Sequence, residues 1–242
     1  APLDLMLVRK LGTPGQQEDP IMRLPIENRQ TAGQALADAL GDYAQRDDVL
    51  ILALPRGGVP VACEVAEALQ APLDLMLVRK LGTPGQQELA MGAIATGGAR
   101  VMNPDIVSAL AIDQQTIDAV AEREQRELER RQQAYRGDRP LPRIDGRCVI
   151  LVDDGVAPGA TMRAAVAALR QQQPARVVVA VPIAPAETVA KMEQGADEVV
   201  CLETPEPFIA IGRWYADFPQ LSDAEVRQQL ARLWDKETEA TT

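Results

Sequence analysis

The most informative segment of the sequence is Val149-Ile150-Leu151-Val152-Asp153-Asp154-Gly155-Val156-Ala157-Pro158-Gly159-Ala160-Thr161. Its first four residues form an apolar run of strand length that ends at two adjacent carboxylates. Gly155 and Gly159 permit tight turns, and a helix is predicted from residue 161 to residue 170. The N–H groups at the start of a helix can bind an anion. This strand–turn–helix pattern therefore predicts a phosphate-binding loop, the phosphate cradle, bordered by two carboxylates.

The carboxylates and the threonine of this stretch suit a sugar phosphate. Asp153 and Asp154 can accept hydrogen bonds from two vicinal hydroxyls, as on a ribose, and the Thr161 hydroxyl can donate to the phosphate. The two aspartates also place negative charge beside a sugar ring that becomes cationic in the transition state of glycosyl transfer. An acidic pair that caps a helix or binds Mg²⁺, as in receiver domains, is the alternative. Receiver domains, however, are shorter and carry their pair on the first strand.

Apolar runs of strand length alternate with helical patterns along the rest of the chain. The predicted strands are residues 49–54, 73–78, 91–96, 149–152, 176–181 and 198–202, and the predicted helices are residues 29–43, 60–69, 112–135, 161–170, 185–194 and 223–234. Short runs bounded by turns and separated by helices predict an α/β fold, with a parallel sheet flanked by helices on both faces. Ligands of such sheets collect at the carboxyl ends of the strands, where three polar clusters fall: residues 55–58, 79–88 and 153–161.

The composition excludes several classes of function. The 242 residues include no histidine, which removes Ser-His-Asp and Cys-His catalysis and every histidine-based metal site. The formal net charge of −10 argues against nucleic-acid binding, which requires a basic surface. No apolar run approaches the roughly 18–20 residues that span a bilayer, so we expect no membrane segment. Three widely spaced cysteines and a start without the order of a secretory signal predict a cytoplasmic protein.

Residues 1–18 and 71–88 have the identical sequence APLDLMLVRKLGTPGQQE. Such identity indicates a recent duplication or an assembly artefact, because old repeats drift. The second copy lies between predicted elements, and we assign the chemistry to it. The first copy is expected to be disordered, to add to a sheet edge or to exchange between chains. The predicted organisation is therefore a duplicated tail, residues 1–27, followed by one functional domain, residues 28–242.

The acidic stretch and four others resemble the type I phosphoribosyltransferases, and the chain is most similar to bacterial members of largely unassigned substrate. The family signature is an apolar strand, two acids and then Gly-x-Ala-Thr-Gly-x-Thr, which this chain matches except at one position. The other matching stretches are residues 52–62, 78–82, 92–95 and 212–218, in one order. The resemblance implies the phosphoribosyltransferase fold with a small hood region. The charged segment 122–131 is expected to be a solvated face of that hood.

The resemblance implies that the chain uses 5-phosphoribosyl-1-pyrophosphate (PRPP) and Mg²⁺ to transfer a phosphoribosyl group to a nitrogenous small molecule, with release of pyrophosphate. The implied catalytic residues are Asp153, Asp154 and Lys80, and the two aspartates act on the metal indirectly, through the substrate. A homodimer is the implied assembly. The implied substrate-binding residues are Arg56, Gly57, Gly58, Arg79, Gly155, Val156, Ala157, Pro158, Gly159, Ala160, Thr161, Trp214 and Tyr215.

Two loops would hold the pyrophosphate by this resemblance. In the first, residues 56–58, backbone amides bind the anion, often beside a strained or cis peptide, although a plain turn would also explain Gly57 and Gly58. In the second, Arg79 and Lys80 precede the glycine-rich residues 82–87, which would form a mobile lid with Lys80 as its main contact. A solvated linker is the alternative for this second loop.

Aromatic residues are concentrated between Phe208 and Phe218. One ring among Trp214, Tyr215 and Phe218 could stack on a flat nitrogenous base, because such rings offer an apolar face. Packing in the hydrophobic core is the alternative and is the commoner fate of aromatic side chains.

Pro158 stands where the family signature has threonine. Proline removes a backbone N–H and a hydroxyl, and each hydrogen bond to a charged group is worth roughly 1.5–3 kcal/mol. The loss predicts PRPP binding that is weaker by about a hundredfold or more. This loss leaves a second interpretation open, in which the chain is a non-catalytic regulator of the same fold that binds PRPP or a nucleotide. A PRPP-synthetase-like kinase is a further alternative, but the chain contains no Gly-x-x-x-x-Gly-Lys-Ser/Thr sequence.

Overall fold

The computed structural model describes residues 23–240, with side chains up to residue 236. The first copy of the duplicated sequence lies outside the described residues, and the predictions made for it remain predictions. Ile26 belongs to the folded domain, because it is buried, bridges Tyr215 and donates its N–H to the Trp214 carbonyl at 2.7 Å. The predicted boundary after residue 27 is therefore too late, since a single bridge leaves no periodic pattern in the sequence.

The described residues form eight strands and seven α-helices. The strands are β1 Val49–Ala53, β2 Leu73–Leu75, β3 Val78–Thr83, β4 Gln86–Ala95, β5 Arg100–Met102, β6 Cys148–Val152, β7 Arg176–Ile183 and β8 Glu198–Glu203. The helices are α1 Arg29–Ala39, α2 Gly58–Leu69, α3 Pro104–Ala109, α4 Gln114–Arg136, α5 Ala160–Arg170, α6 Ala186–Met192 and α7 Asp223–Ala240. Short 3₁₀ turns occur at Gly41–Tyr43 and Ile211–Trp214, so the predicted helix 29–43 ends four residues early and continues as a turn.

A five-stranded parallel sheet forms the centre of the fold, in the order β2-β1-β6-β7-β8. The interior strands β1 and β6 are buried along their whole length. Their continuous apolar sequences are typical of strands covered on both faces. Ile51 and Ala53 share a core with helices α1, α2 and α7, whereas Leu50 and Leu52 face a second core with α5 and α6. The predicted α/β class, with helices on both faces of a parallel sheet, is confirmed.

A second, antiparallel sheet is formed by strands β3, β4 and β5. Thr83 pairs with Gln86 around a turn in which Gly85 has φ +79°, so residues 82–87 and 91–96 belong to one hairpin. The prediction that residues 91–96 join the parallel sheet was wrong, because local hairpin pairing closes a much shorter loop than a crossover to the central sheet. That residues 82–87 act as a lid remains a prediction.

Helix α4 is anchored over the carboxyl-terminal edge of the central sheet at its last turn. Arg136 forms a buried ion pair with Asp74 of β2, and the Tyr135 hydroxyl donates to Asp223 at the start of α7 at 2.6 Å. The helix begins after Asp113, whose side chain accepts from the Thr116 N–H as an N-cap. These contacts fix the helix beside the loops that follow β1 and β2.

Among the helices of residues 23–240, none combines the length and the apolar character that a membrane span requires.

The three cysteines are packed side chains. Cys63 and Cys148 are buried and Cys201 is half-buried, and all three are free thiols. Burial raises the pKa of Cys63 to about 12, which fits a packed side chain and not a nucleophile.

Candidate functional site

Asp153 and Asp154 follow β6, at the middle of the carboxyl-terminal edge of the central sheet. Asp153 is half-buried, and its Oδ1 accepts from the Asp154 N–H at 2.9 Å. Asp154 is 7% exposed, and its Oδ2 accepts from Nε of Arg29 at 2.7 Å. The two acids therefore differ: Asp154 is tied to a cation, and Asp153 is more accessible.

Arg29 is the first residue of α1 and connects three parts of the chain at this point. Besides Asp154, it donates from Nη1 to the Pro219 carbonyl at 2.9 Å and lies 3.8 Å from the centre of the Phe218 ring. Phe218 in turn stacks on Tyr215 with ring centres 4.7 Å apart. Sequence reasoning missed Arg29, because it lies far from the acids in sequence and no local pattern marks it.

Burial and charge give the two acids different proton affinities. Burial raises the pKa of Asp154, and the Arg29 guanidinium opposes that rise. Burial raises the pKa of Asp153 well above its ordinary value, and the negative charge of Asp154 raises it further. Asp153 is therefore the carboxyl of the pair that binds a proton more readily before a ligand is present.

The loop of residues 155–159 leads from the acids into α5. The Val156 N–H donates to the Ile183 carbonyl at 3.0 Å, which ties the loop to the end of β7. Gly159, at φ +85°, occupies the left-handed region immediately before the helix, where a side chain would be strained. The N–H groups of residues 160–162 have no partner within the helix, as in every first turn, and are available to an anion.

Pro158 and Ala157 form the exposed tip of this loop, before the helix begins. Because proline carries no N–H, position 158 offers no backbone donor to a ligand seated at the helix start. The Thr161 hydroxyl is exposed in the first turn of α5 and remains a donor there.

The loop of residues 55–58 packs directly against the acidic pair. A Cβ on Gly57 would overlap the carboxylate of Asp154, so only glycine permits the approach of these two segments. The Pro55–Arg56 peptide is cis, as the family resemblance implied for this loop. Two clusters that are about a hundred residues apart in sequence thus form one site, because β1 and β6 are neighbours.

A cavity of about 120 Å³ opens beside the 55–58 loop. It is bounded by residues 54–56 after β1, residues 76–79 around the start of β3, the first turn of α5 at Thr161, and the face of α4 that carries Leu128, Arg131 and Tyr135. Three arginines line it, from three different elements: Arg56, Arg79 and Arg131. A small cavity with three guanidinium groups is suited to a compact polyanion.

Arg79 and Lys80 were both predicted to bind pyrophosphate, but neighbouring side chains of a strand point to opposite faces of the sheet. Arg79 lines the cavity and pairs with Glu124 of α4 at 2.5 Å, whereas Lys80 is exposed and does not line it. Arg131 belonged to a segment expected to be a solvated face, and the structure brings it to the cavity instead. The signal that could have found it is the spacing of Leu128, Arg131 and Tyr135, which share one helical face.

The aromatic segment lies behind the acidic pair. Tyr215 is 5% exposed and donates its hydroxyl to the Asp154 carbonyl at 2.7 Å, so its ring packs in the core and has no open face for a base. Trp214 is half-buried, and its Nε1 has no hydrogen-bond partner among the described residues. Of the three predicted stacking residues, Trp214 and Phe218 are half-buried and keep some open surface, but Phe218 already stacks on Tyr215 and contacts the Arg29 guanidinium.

The side chains present fit Mg²⁺ as a metal carried by the substrate. Within residues 23–240, no cluster of three or more histidine, cysteine or acidic side chains could hold a metal ion unaided. Asp154 is already paired with Arg29, and of the two acids only Asp153 makes no ion pair with a described residue. A metal ion here would need most of its oxygen ligands from a polyphosphate and water, as is usual for Mg²⁺.

Comparisons with known proteins agree with this geometry. A family model described as the phosphoribosyl transferase domain matches residues 25–215. The chain belongs to this family. The match includes the acidic loop, the 55–58 loop and the cavity-lining segment of α4.

Several relatives are similar over most of the chain. Two Mycobacterium tuberculosis proteins, of strains CDC 1551 and H37Rv, are provisionally named phosphoribosyl transferases and are each 48% identical over 201 residues. The match covers 83% of this chain but 45% of each relative, so the chain spans less than half of their length. The crystal structure of the protein TT1426 from Thermus thermophilus has a TM-score of 0.77 at 43% identity and covers 87% of this chain and 99% of that one.

The ion pair between Arg29 and Asp154 predicts a large loss of stability when the cation is removed. Replacing Arg29 with Met leaves a buried, unpaired carboxylate, and we expect the free energy of unfolding to fall by about 3–5 kcal/mol. Urea denaturation measures the change. The double variant Arg29→Met/Asp154→Asn is the control, because it removes the unpaired charge and should recover part of the loss. Equal losses in the single and double variants would show that the charge pair is not what stabilises this region.

Proposed function

We propose that this domain binds Mg²⁺-complexed PRPP and transfers its phosphoribosyl group to a nitrogenous small molecule, with release of pyrophosphate. The observation that carries the proposal is the packing of three elements around one point. The acidic pair, the open first turn of α5 and the 55–58 loop meet there, and the arginine-lined cavity adjoins them. Membership of the phosphoribosyl transferase domain family and the names of the Mycobacterium tuberculosis relatives support the same activity.

The 5′-phosphate of the donor would lie at the start of α5. The N–H groups of the first helical turn and the Thr161 hydroxyl supply the donors, and the helix dipole favours the negative charge. Gly159 brings the backbone close to this position, and the exposed residues 157–158 form the rim of the cradle. This placement leaves the ribose ring over the carboxyl end of β6.

Asp153 is the carboxylate that we assign to the ribose. Its ionised form accepts hydrogen bonds from the two ring hydroxyls and places negative charge beside a ring that becomes oxocarbenium-like as the bond to pyrophosphate breaks. Asp154 supports this role indirectly. Arg29 holds one oxygen of Asp154, and the negative charge of Asp154 acts on Asp153. Catalysis of this kind depends on position and charge, so a chain without histidine can perform it.

The leaving pyrophosphate would occupy the cavity beside residues 55–58. The Arg56 and Arg79 guanidinium groups line this cavity and would neutralise the charge of the pyrophosphate. Of the two predicted glycine amides, the Gly58 N–H already donates to the Leu54 carbonyl at 3.1 Å, so Gly57 is the remaining candidate donor. Mg²⁺, when bound to the donor, would neutralise part of the pyrophosphate charge and so stabilise it as a leaving group. The nitrogen of the acceptor would then add to the opposite face of the ring, and Trp214 remains a candidate to stack on the acceptor. Lys80 would act here only after a movement of β3, and we keep it as a secondary candidate.

A non-catalytic regulator on the same fold is the second candidate, and Pro158 is the observation that favours it. The exposed tip of the phosphate cradle lacks the N–H that any other residue would supply at that position. A domain that binds the donor weakly and reports its concentration would tolerate that loss better than an enzyme would. A cytoplasmic homodimer is part of both versions of the proposal.

The role of Asp153 is tested with Asp153→Asn. We expect Mg²⁺-PRPP binding to weaken by about 10- to 100-fold, because a charged acceptor of two hydroxyls is replaced by a neutral one. Isothermal titration measures the affinity, and inorganic pyrophosphate, which lacks the ribose, is the control ligand. Its affinity should not change. An unchanged PRPP affinity would contradict the assignment of Asp153 to the ribose.

The raised pKa of Asp153 also predicts a pH dependence of binding. Because the hydroxyls donate to the ionised carboxylate, binding expels the proton that Asp153 holds at low pH. Affinity therefore rises as the pH rises towards the pKa of Asp153 and levels off above it. Titrations in two buffers of different ionisation enthalpy measure the protons released. Asp153→Asn should release fewer protons on binding. It should still release some, because the phosphates of the ligand titrate with both proteins. Equal proton release by the two proteins would contradict the prediction.

Substitutions at position 158 test whether Pro158 weakens PRPP binding, which is the observation that favours the regulator. In Pro158→Thr both an N–H and a hydroxyl return, and Mg²⁺-PRPP affinity should rise by about 10- to 100-fold. Pro158→Ala returns the N–H alone and separates the two contributions. If the natural protein already binds in the micromolar range and neither variant improves it, residue 158 does not contact the phosphate and the regulator loses its support.

A further inference from the structure

We propose that Arg131, on helix α4, is a third cationic contact for the pyrophosphate of the donor. The inference rests on the proposed function and adds a residue to it. Its starting observation is the arginine-lined cavity, which is bounded by α4 as well as by Arg56 and the 55–58 loop. The contact therefore comes from a helix outside the central sheet, and not from the loops that follow its strands.

The face of α4 that carries Arg131 is directed at the cavity by the spacing of its residues. Leu128, Arg131 and Tyr135 recur at three and four positions, which places them on one side of a helix. Leu128 and Tyr135 are buried, while the Arg131 side chain is 46% exposed and can reach into the opening. Arg130 lies on a different side, does not line the cavity, and is 65% exposed.

The ion pairs of Arg131 leave it available to an incoming anion. Its Nε lies 2.8 Å from Oε1 of Glu127, but Arg130 binds both oxygens of the same carboxylate, at 2.8 and 2.9 Å. Glu127 therefore keeps a partner when Arg131 leaves it. Exposed pairs of this type are weak, so an anion with several charges competes with Glu127 effectively.

The other two arginines already face carboxylates on α4 and α7. Arg79 is held by Glu124 at 2.5 Å, and Arg56 faces Asp223 at 3.9 Å. Asp223 also accepts from Tyr135 of α4, and Arg136 anchors the same turn to Asp74. The last turns of α4 are thus fixed in place. Arg131 can reach the pyrophosphate through side-chain rotation alone, with no movement of the helix.

The test compares Arg131→Ala with Arg130→Ala. Both variants remove one arginine from neighbouring positions of the same helix together with its bonding to Glu127, and alanine preserves the helix. Inorganic pyrophosphate with Mg²⁺ is the first probe and PRPP the second, by isothermal titration. Arg131→Ala should weaken both by about 10- to 100-fold, as expected for a lost charge-assisted contact, and Arg130→Ala should change them by less than about threefold.

Ribose 5-phosphate is the third probe, because it fills the cradle at α5 and carries no pyrophosphate. Its affinity should be the same in both variants. If the natural protein binds PRPP but the two variants bind pyrophosphate equally, Arg131 is not a contact, although the proposed function stands. If Arg131→Ala weakens ribose 5-phosphate as much as pyrophosphate, the contact assignment also fails. If the natural protein binds none of the three probes, both the inference and the proposed function are overturned.

Discussion

The buried ion pair between Arg29 and Asp154 is the interaction on which the geometry of the site depends. It joins the start of α1 to the end of the central strand β6, and the same guanidinium reaches Pro219 and Phe218. The segment with Tyr215 is thereby held against the acidic loop, and Tyr215 bonds the backbone of Asp154 in return. One cation thus positions the acids, the aromatic segment and, through the contact of Asp154 with the 55–58 loop, the neighbouring turn.

Local charge, and not net charge, determines what this site can bind. The chain carries a formal net charge of −10, yet three arginines surround one small cavity. Their carboxylate partners lie on α4 and α7, so in the absence of ligand each guanidinium is balanced within the protein. A polyphosphate can displace the exposed partners of Arg56 and Arg131, while the firmly held pairs of Arg29 and Arg136 keep the surrounding structure unchanged.

The parts of the fold that were predictable are those whose signal is local. The apolar run before Asp153 and the glycines after it suffice to place β6, the loop and α5, and alternation of strands and helices suffices for the class of fold. The antiparallel hairpin was missed because β3 and β4 pair with each other, a choice that apolar patterns do not reveal. Arg29 was missed because its role arises only when distant segments pack together. Arg131 was missed because its helical spacing shows which residues share its face but not what that face meets. Conversely, Lys80 and Tyr215 have suitable chemistry but lie outside the cavity and in the core, respectively.

We propose that one site holds the phosphate, the ribose and the pyrophosphate of PRPP in adjacent subsites. A crystal structure of the protein with Mg²⁺ and PRPP would show all three subsites at once. We expect the 5′-phosphate at the first turn of α5, the ribose hydroxyls at Asp153, and the pyrophosphate between the 55–58 loop and the arginine-lined cavity. Density for PRPP elsewhere on the surface, or a site whose ribose does not contact Asp153, would contradict the account.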